Sequence, residues 1–145
     1  MMAPMDIDFL TPELQARLLA AAREARSHAY APYSKFLVGA AVLDEQGRIH
    51  AGCNVENAAY PQGVCAEAGA LSAMVLAGGT RVAAVAVAGA GEKWVTPCGG
   101  CRQKLREFAL ADTPILMANM ERLHATLTME QLLPHSFGPD TLQTP

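Results

Sequence analysis

The spacing of apolar residues along the first third of the chain predicts a helix followed by a β-hairpin. From Thr11, a candidate N-cap followed by Pro12, leucine and alanine recur at helical spacing through residues 11–30. Two apolar segments, 35–44 and 48–57, then flank the short turn EQG. We therefore expect an amphipathic helix, which ends near the APYS turn, and two paired strands after it.

The rest of the chain alternates between helical and extended patterns. The predicted elements are a buried helix over 65–77 that ends at Gly78-Gly79, an apolar central strand over 82–89, a helix over about 98–109, strands over 114–119 and 122–128, and a short helix from Thr128. Strands that alternate with helices favour a sheet between helical layers. The pattern predicts an α/β protein, a three-layer α-β-α sandwich with a mixed sheet of about five strands, in a single domain over residues 1–145.

Composition narrows the classes of function. Only 17% of the 145 residues are charged and 51% are hydrophobic, whereas charged residues usually make up about a quarter of a soluble chain. This apolar excess favours subunit contacts. The net charge of −3 and the scattered basic residues argue against a nucleic-acid or membrane partner and leave small molecules as substrates. The start MMAPMDIDFL lacks the features of a secretory signal, so we expect a cytoplasmic protein.

Three of the four cysteines are grouped as metal ligands would be. In a reducing cytoplasm, cysteines serve metal binding or catalysis more often than disulfides. Cys98 and Cys101 have C-x-x-C spacing, and Cys65 begins the preceding predicted helix, where it completes a three-thiolate set for zinc. A bare C-x-x-C also suits a redox pair or a structural zinc site. However, a structural site needs a fourth ligand, and neither Cys53 nor any histidine has suitable spacing.

Glu67 adds catalytic chemistry to this group. It lies two residues after Cys65, in the first turn of the same predicted helix, where its carboxylate can exchange protons with a water molecule at the metal. The pattern [HC]-x-E followed by P-C-x-x-C is the signature of zinc-dependent deaminases, and this chain has CAE and PCGGC. The sequence therefore favours a hydrolytic zinc site.

Longer motifs extend the match along nearly the whole chain. AYAPYSKFLVGAA, GCNVENAAYPQGVCAE, PCGGCRQ and LLPHSFGP occur in this order, and with them the chain resembles the small, homotetrameric cytidine deaminases. The resemblance implies hydrolysis of cytidine and 2′-deoxycytidine to uridine and 2′-deoxyuridine, with release of ammonia, in pyrimidine salvage. It also implies one zinc ion per subunit and pockets completed by neighbouring subunits in a tetramer.

The resemblance also assigns roles to individual residues. Cys65, Cys98 and Cys101 are implied to bind zinc, and Glu67 to transfer protons. The substrate would contact Phe36 at the base, the backbone around Ala66 at the base edge, and Asn54 and Glu56 at the ribose 3′-hydroxyl. Tyr33, Tyr60 and Phe137 match positions that neighbouring subunits contribute. Structural alternatives are a turn cap for Asn54, a solvated loop acid for Glu56, strand core for Phe36, and simple packing for the other aromatic residues.

One position departs from the family pattern. The residue after the catalytic glutamate is commonly arginine, which donates hydrogen bonds to the ligand thiolates, but here it is Ala68. Arg102, directly after Cys101, is the candidate for this role. The departure keeps a second hypothesis open, a deaminase of another aminated heterocycle or of a nucleoside antibiotic of the blasticidin S type. A non-catalytic, zinc-stabilised binding domain is the third.

Overall fold

Five strands form one mixed sheet in a computed structural model that describes residues 9–143. The strands are β1 (Gly39–Asp44), β2 (Ile49–Cys53), β3 (Val82–Ala88), β4 (Pro114–Ala118) and β5 (Leu123–Thr128). Their order is β2-β1-β3-β4-β5, with β3 and β4 parallel and every other pair antiparallel. The predicted mixed, five-stranded sheet is confirmed.

Helices cover both faces of this sheet. They are α1 (Pro12–Arg26), α2 (Ala66–Leu76), α3 (Gly99–Arg106) and the short α4 (Met129–Leu132) and α5 (Pro139–Leu142). On one face, α1 buries Leu18, Leu19 and Ala22 against alternate residues of the strands. On the other face, the core includes Ala70 and Met74 of α2, Leu105 of α3 and Met129 of α4. The three-layer sandwich is therefore confirmed as well.

The structure shortens several predicted elements, among them α1, β1, β2 and α3, and adds two. Helix α1 ends at Arg26 rather than near residue 30, with Ser27 as its C-cap. Strand β1 begins at Gly39 rather than at residue 35. The backbone just before Gly39 forms hydrogen bonds with the Asn54 side chain instead of with a neighbouring strand. Asn54 Oδ1 accepts from Val38 N–H at 2.9 Å, and Nδ2 donates to the Phe36 carbonyl at 2.8 Å. Helix α5 and a 3₁₀ turn at Tyr60–Gln62 were not predicted.

A backbone-to-backbone contact sets the position of α2 on the hairpin. A Cβ atom on Gly52 of β2 would lie 2.4 Å from the nitrogen of Ala70 and 2.6 Å from the carbonyl oxygen of Ala66. Atoms cannot approach so closely, so only glycine at position 52 permits this packing. The first turn of α2 is thereby held directly against the sheet.

A buried carboxylate, Asp44, fixes the turn between β1 and β2. Asp44 is only 1% exposed to solvent. Oδ1 accepts the backbone N–H groups of Gln46 and Arg48, both at 2.9 Å. Oδ2 accepts Arg48 Nε and His50 Nε2, both at 2.8 Å. Burial alone would raise the pKa of Asp44, but these hydrogen bonds outweigh it and hold the pKa at about 2, below its ordinary value of 3.8.

We expect Asp44→Ala to lower the free energy of unfolding by about 3 kcal/mol, because it leaves buried donors and a cation without their acceptor. Since the folded-state pKa is depressed, the stabilisation is complete above pH 4 and is lost as pH falls towards 2. Urea unfolding across this pH range measures both effects. The exposed Asp112 provides the control Asp112→Ala, and equal stabilities for the two variants would contradict the assignment.

Candidate active site

Two helix N-termini bring the three predicted ligands together. Cys65 is the N-cap of α2, Cys98 is the N-cap of α3, and Cys101 lies in the first turn of α3. Their sulfur atoms all lie within 4.8 Å of one another. Zn–S bonds of about 2.3 Å at tetrahedral angles would place sulfurs about 3.8 Å apart. The donor set and its spacing therefore fit a zinc ion.

The thiols are held in different electrostatic environments. Burial raises the pKa of Cys65 and Cys101. By contrast, the backbone N–H of Cys101 at the start of α3 lowers the pKa of Cys98. A bound metal ion holds its cysteine ligands as thiolates, so metal binding at this site releases protons.

Glu67 lies beside the cysteines in the first turn of α2 and is 4% exposed. Burial raises the pKa of its carboxyl group. A carboxyl group with a raised pKa can both accept and donate a proton near neutral pH, as general acid–base catalysis requires. The arrangement thus joins a metal-binding group to a proton-transfer group.

A cavity of about 330 Å³ opens onto Glu67 and two of the cysteines. Its lining includes the predicted substrate residues Phe36, Asn54, Glu56 and Ala66. Phe36 lies in the loop before β1 and is 46% exposed, so it is not strand core. The volume is at the lower end of the range for pockets that hold small organic ligands.

Asn54 and Glu56 shape the rim of this cavity through hydrogen bonds to the loop opposite. Glu56 Oε1 accepts the backbone N–H groups of Tyr33 at 2.9 Å and Ser34 at 3.1 Å, and Oε2 accepts the Ser34 hydroxyl. The hydroxyl and the amides lower the pKa of Glu56, which keeps it a carboxylate. Asn54 binds the backbone of the same loop at Phe36 and Val38, and it also lines the cavity. Its two interpretations, as a turn cap and as a substrate residue, are therefore compatible.

The three remaining aromatic residues lie outside the lining of this cavity. Tyr33 and Tyr60 pack with ring centroids 5.8 Å apart and line a neighbouring cavity, which shares Ser34 and Glu56 with the first. Phe137 is 57% exposed, and its carbonyl accepts Gln103 Nε2 at 2.9 Å. Within one chain, these aromatic side chains are therefore not brought to the cysteines.

The guanidinium of Arg102 binds oxygen atoms rather than sulfur. Nε donates to the Pro97 carbonyl at 2.7 Å, Nη1 to the Leu132 carbonyl at 2.8 Å and Nη2 to the Thr96 hydroxyl at 3.1 Å. The predicted donation to the ligand thiolates is absent from this set of contacts. Arg102 instead ties the loop before Cys98 to the end of α4.

Sequence reasoning did not assign four residues that also line the cavity: Ser34, Val38, Val95 and Thr96. Ser34 and Val38 fall inside the motif AYAPYSKFLVGAA, so their position in that motif could have indicated that they lie near the substrate. Val95 and Thr96 precede PCGGC in a loop, and only the fold shows that this loop turns towards the cavity.

Together, the fold and site define a class of protein. Among the described residues, the metal-ligand grouping consists of these three cysteines, and a catalytic zinc site characteristically has three protein ligands. A buried carboxyl group in the adjoining cavity completes the features of a hydrolytic metalloenzyme. No helix in the described part of the chain is long and apolar enough to span a membrane.

Comparison with known proteins identifies the family. Residues 12–117 match the "Cytidine and deoxycytidylate deaminase zinc-binding region". A cytidine deaminase from Sporosarcina psychrophila is 42% identical over 126 residues, 87% of this chain and 93% of that protein. The crystal structure of cytidine deaminase from Burkholderia pseudomallei superposes with a TM-score of 0.79 at 40% identity, covering 84% of this chain and 98% of that one. The chain belongs to the cytidine and deoxycytidylate deaminase family.

Removal of one sulfur ligand is expected to abolish metal retention. Cys98→Ser should lower zinc content from about one ion per chain to near zero, because a serine hydroxyl is a poor zinc ligand at neutral pH. Cys53→Ser is the matched control, since Cys53 lies in β2 outside the metal group. Elemental analysis after dialysis measures both. Full zinc content in Cys98→Ser would contradict the assignment.

Proposed function

We propose that this protein is a zinc-dependent cytidine deaminase, which hydrolyses cytidine and 2′-deoxycytidine to the corresponding uridines and ammonia. The observation that supports this most directly is the position of Glu67. A buried carboxyl group shares one small cavity with the cysteine group, and the family match covers the same residues. Cys65, Cys98 and Cys101 would hold one zinc ion per subunit.

The reaction breaks the C4–N4 bond of the pyrimidine and forms a C4–O bond from water. Zinc, when bound, lowers the pKa of a water molecule and so supplies the nucleophile. Glu67 would accept one proton from this water and transfer it to N3 of the base. It would then move the remaining proton of the new C4 hydroxyl to the amino group, which leaves as ammonia as the C4 carbonyl forms. Its raised pKa suits a group that must both take and return a proton.

The cavity lining supports a nucleoside as the substrate. Phe36 would pack against the base, and the backbone around Ala66 would bind the base edge. Asn54 and Glu56 lie on the rim, where a ribose 3′-hydroxyl would extend from a base held next to Glu67. The carboxylate of Glu56, kept ionised by its hydrogen bonds, is a strong acceptor for that hydroxyl.

Glu67→Gln is expected to lower kcat for cytidine by at least about a hundredfold, because the amide cannot carry the proton. The zinc content should stay near one ion per chain, since Glu67 is not among the ligands. Loss of cytidine absorbance in the ultraviolet, together with zinc quantitation, measures both. Near-normal activity with zinc retained would refute the mechanism.

Ala68 motivates the alternative substrates, but its position favours cytidine. Ala68 lines a different cavity, between α2 and α3, and not the one that contains Glu67. A change at position 68 therefore does not alter the lining that a substrate would touch. A substrate panel that includes blasticidin S and other aminated heterocycles discriminates between the two hypotheses. Turnover of one of these compounds without turnover of cytidine would favour the alternative.

We also propose a homotetramer, in which neighbouring subunits contribute Tyr33, Tyr60 and Phe137 to each pocket. The apolar cavity of about 940 Å³ between α2 and α3 supports contact between subunits. Val75 and Leu76 at its edge are 52% and 90% exposed, as residues of a subunit interface would be in an isolated chain.

Leu76→Glu is expected to shift the sedimenting species from a tetramer to smaller assemblies, because it places a charge in an apolar contact. Analytical ultracentrifugation at micromolar concentration measures the change. Met120→Glu, at a 43% exposed position in the turn between β4 and β5, is the control and should remain tetrameric. A wild-type monomer would exclude the assembly.

The setting we propose is a single-domain, cytoplasmic enzyme of pyrimidine salvage. The four cysteines are free thiols in the structure, which suits a reducing compartment. The net charge of −3 gives no support to a nucleic-acid partner, and a free nucleoside is the substrate that fits the small cavity.

A further inference from the structure

The zinc centre of a deaminase with three cysteine ligands carries an excess of negative charge. Three thiolates on a dication leave one negative charge, and an ionised Glu67 adds another. An arginine directly after the catalytic glutamate would offset this charge, but here that position is Ala68. Arg102 does not replace it, because its nitrogen atoms are bound to oxygens of Thr96, Pro97 and Leu132.

Lys104 of α3 is placed to supply the missing charge. Side chains on a helix lean towards its N-terminus, so Lys104 extends back over the turn that holds the ligands. Its ammonium nitrogen lies 3.7 Å from where a Cβ atom of Gly100 would be, between Cys98 and Cys101 in the sequence. The ammonium group therefore lies over the first turn of α3, within ordinary contact distance of position 100.

The space next to Ala68 belongs to the same cavity. Ala68 and Lys104 both line the cavity between α2 and α3, so the small side chain at position 68 leaves room for the lysine. Lys104 has no ion pair with any carboxylate in residues 9–143.

We propose that Lys104 is the compensating cation of the zinc centre and carries the electrostatic role that an arginine at position 68 would otherwise have. The expected effect on kcat rests on the proposed function, whereas the expected effect on zinc binding does not. Lys104 acts through the charge at the cysteine group and Glu67 and does not line the substrate cavity. Its removal should therefore weaken zinc binding and lower kcat while leaving KM nearly unchanged.

The test is a charge series at position 104, measured by zinc competition with a chelator and by steady-state kinetics. Lys104→Met should weaken zinc binding by about three- to tenfold, Lys104→Glu should weaken it further, and Lys104→Arg should keep it near the wild-type value. The difference between wild type and Lys104→Met should shrink in 1 M salt, where the Debye length is about 3 Å. Arg17→Met, an exposed position on α1, makes the same change in net charge and should have no effect.

Adding Ala68→Arg to Lys104→Met provides a rescue. Ala68 and Lys104 line the same cavity, so an arginine at position 68 can bring its guanidinium close to the place of the ammonium group. This double variant should therefore recover zinc affinity and kcat. Equal zinc affinity in Lys104→Met and Arg17→Met would overturn the proposal. The proposal would also be overturned if the zinc affinity of the variants depended on their oligomeric state, as measured by sedimentation, and not on the charge at position 104.

The zinc measurement also separates this proposal from the proposed function. A wild-type protein that binds zinc but does not deaminate cytidine would refute the function. The same protein would still support the role of Lys104 if zinc affinity followed the charge series.

Discussion

The contact between α2 and β2 is the constraint on which the site depends. Gly52 lets the backbone of the strand meet the backbone of the helix at Ala66 and Ala70, at distances that any side chain would prevent. Cys65 and Glu67 occupy the cap and the first turn of that helix, so their positions follow from this packing. A small outward shift of α2 would separate Cys65 from the two cysteines of α3 and uncover Glu67.

The second half of the site is held from the other side by polar contacts of α3. Arg102 binds the loop before Cys98 and the end of α4, and Arg106 binds Ser136 and Asp140 at 2.8 and 2.7 Å. The C-terminal segment thus keeps α3 in place although it contributes no cysteine. The same contacts occupy both arginines, which leaves Lys104 as the cation of α3 whose ammonium group lies over the turn between Cys98 and Cys101.

Burial has opposing effects on this chemistry. It raises the pKa of Glu67 and of two thiols, which suits proton transfer by the carboxyl group but opposes the ionised form that thiol ligands require. Helix N-termini and a bound cation favour thiolates, and the backbone N–H of Cys101 already lowers the pKa of Cys98. The site therefore works only if metal binding, helix dipoles and nearby cations together offset the cost of desolvation.

The sequence by itself determined the order of elements and the residues of the metal group. Apolar periodicity, the glycine turns and the motifs CAE and PCGGC are local signals, because they depend on near neighbours in the chain. Only the tertiary structure decided that β1 starts at Gly39, since the side chain of Asn54, just after the paired strand β2, binds the backbone of Phe36 and Val38. Likewise, it decided that Arg102 binds oxygens rather than sulfur and that Lys104 shares a cavity with Ala68. Those outcomes depend on how separate elements pack, and no local pattern encodes that packing.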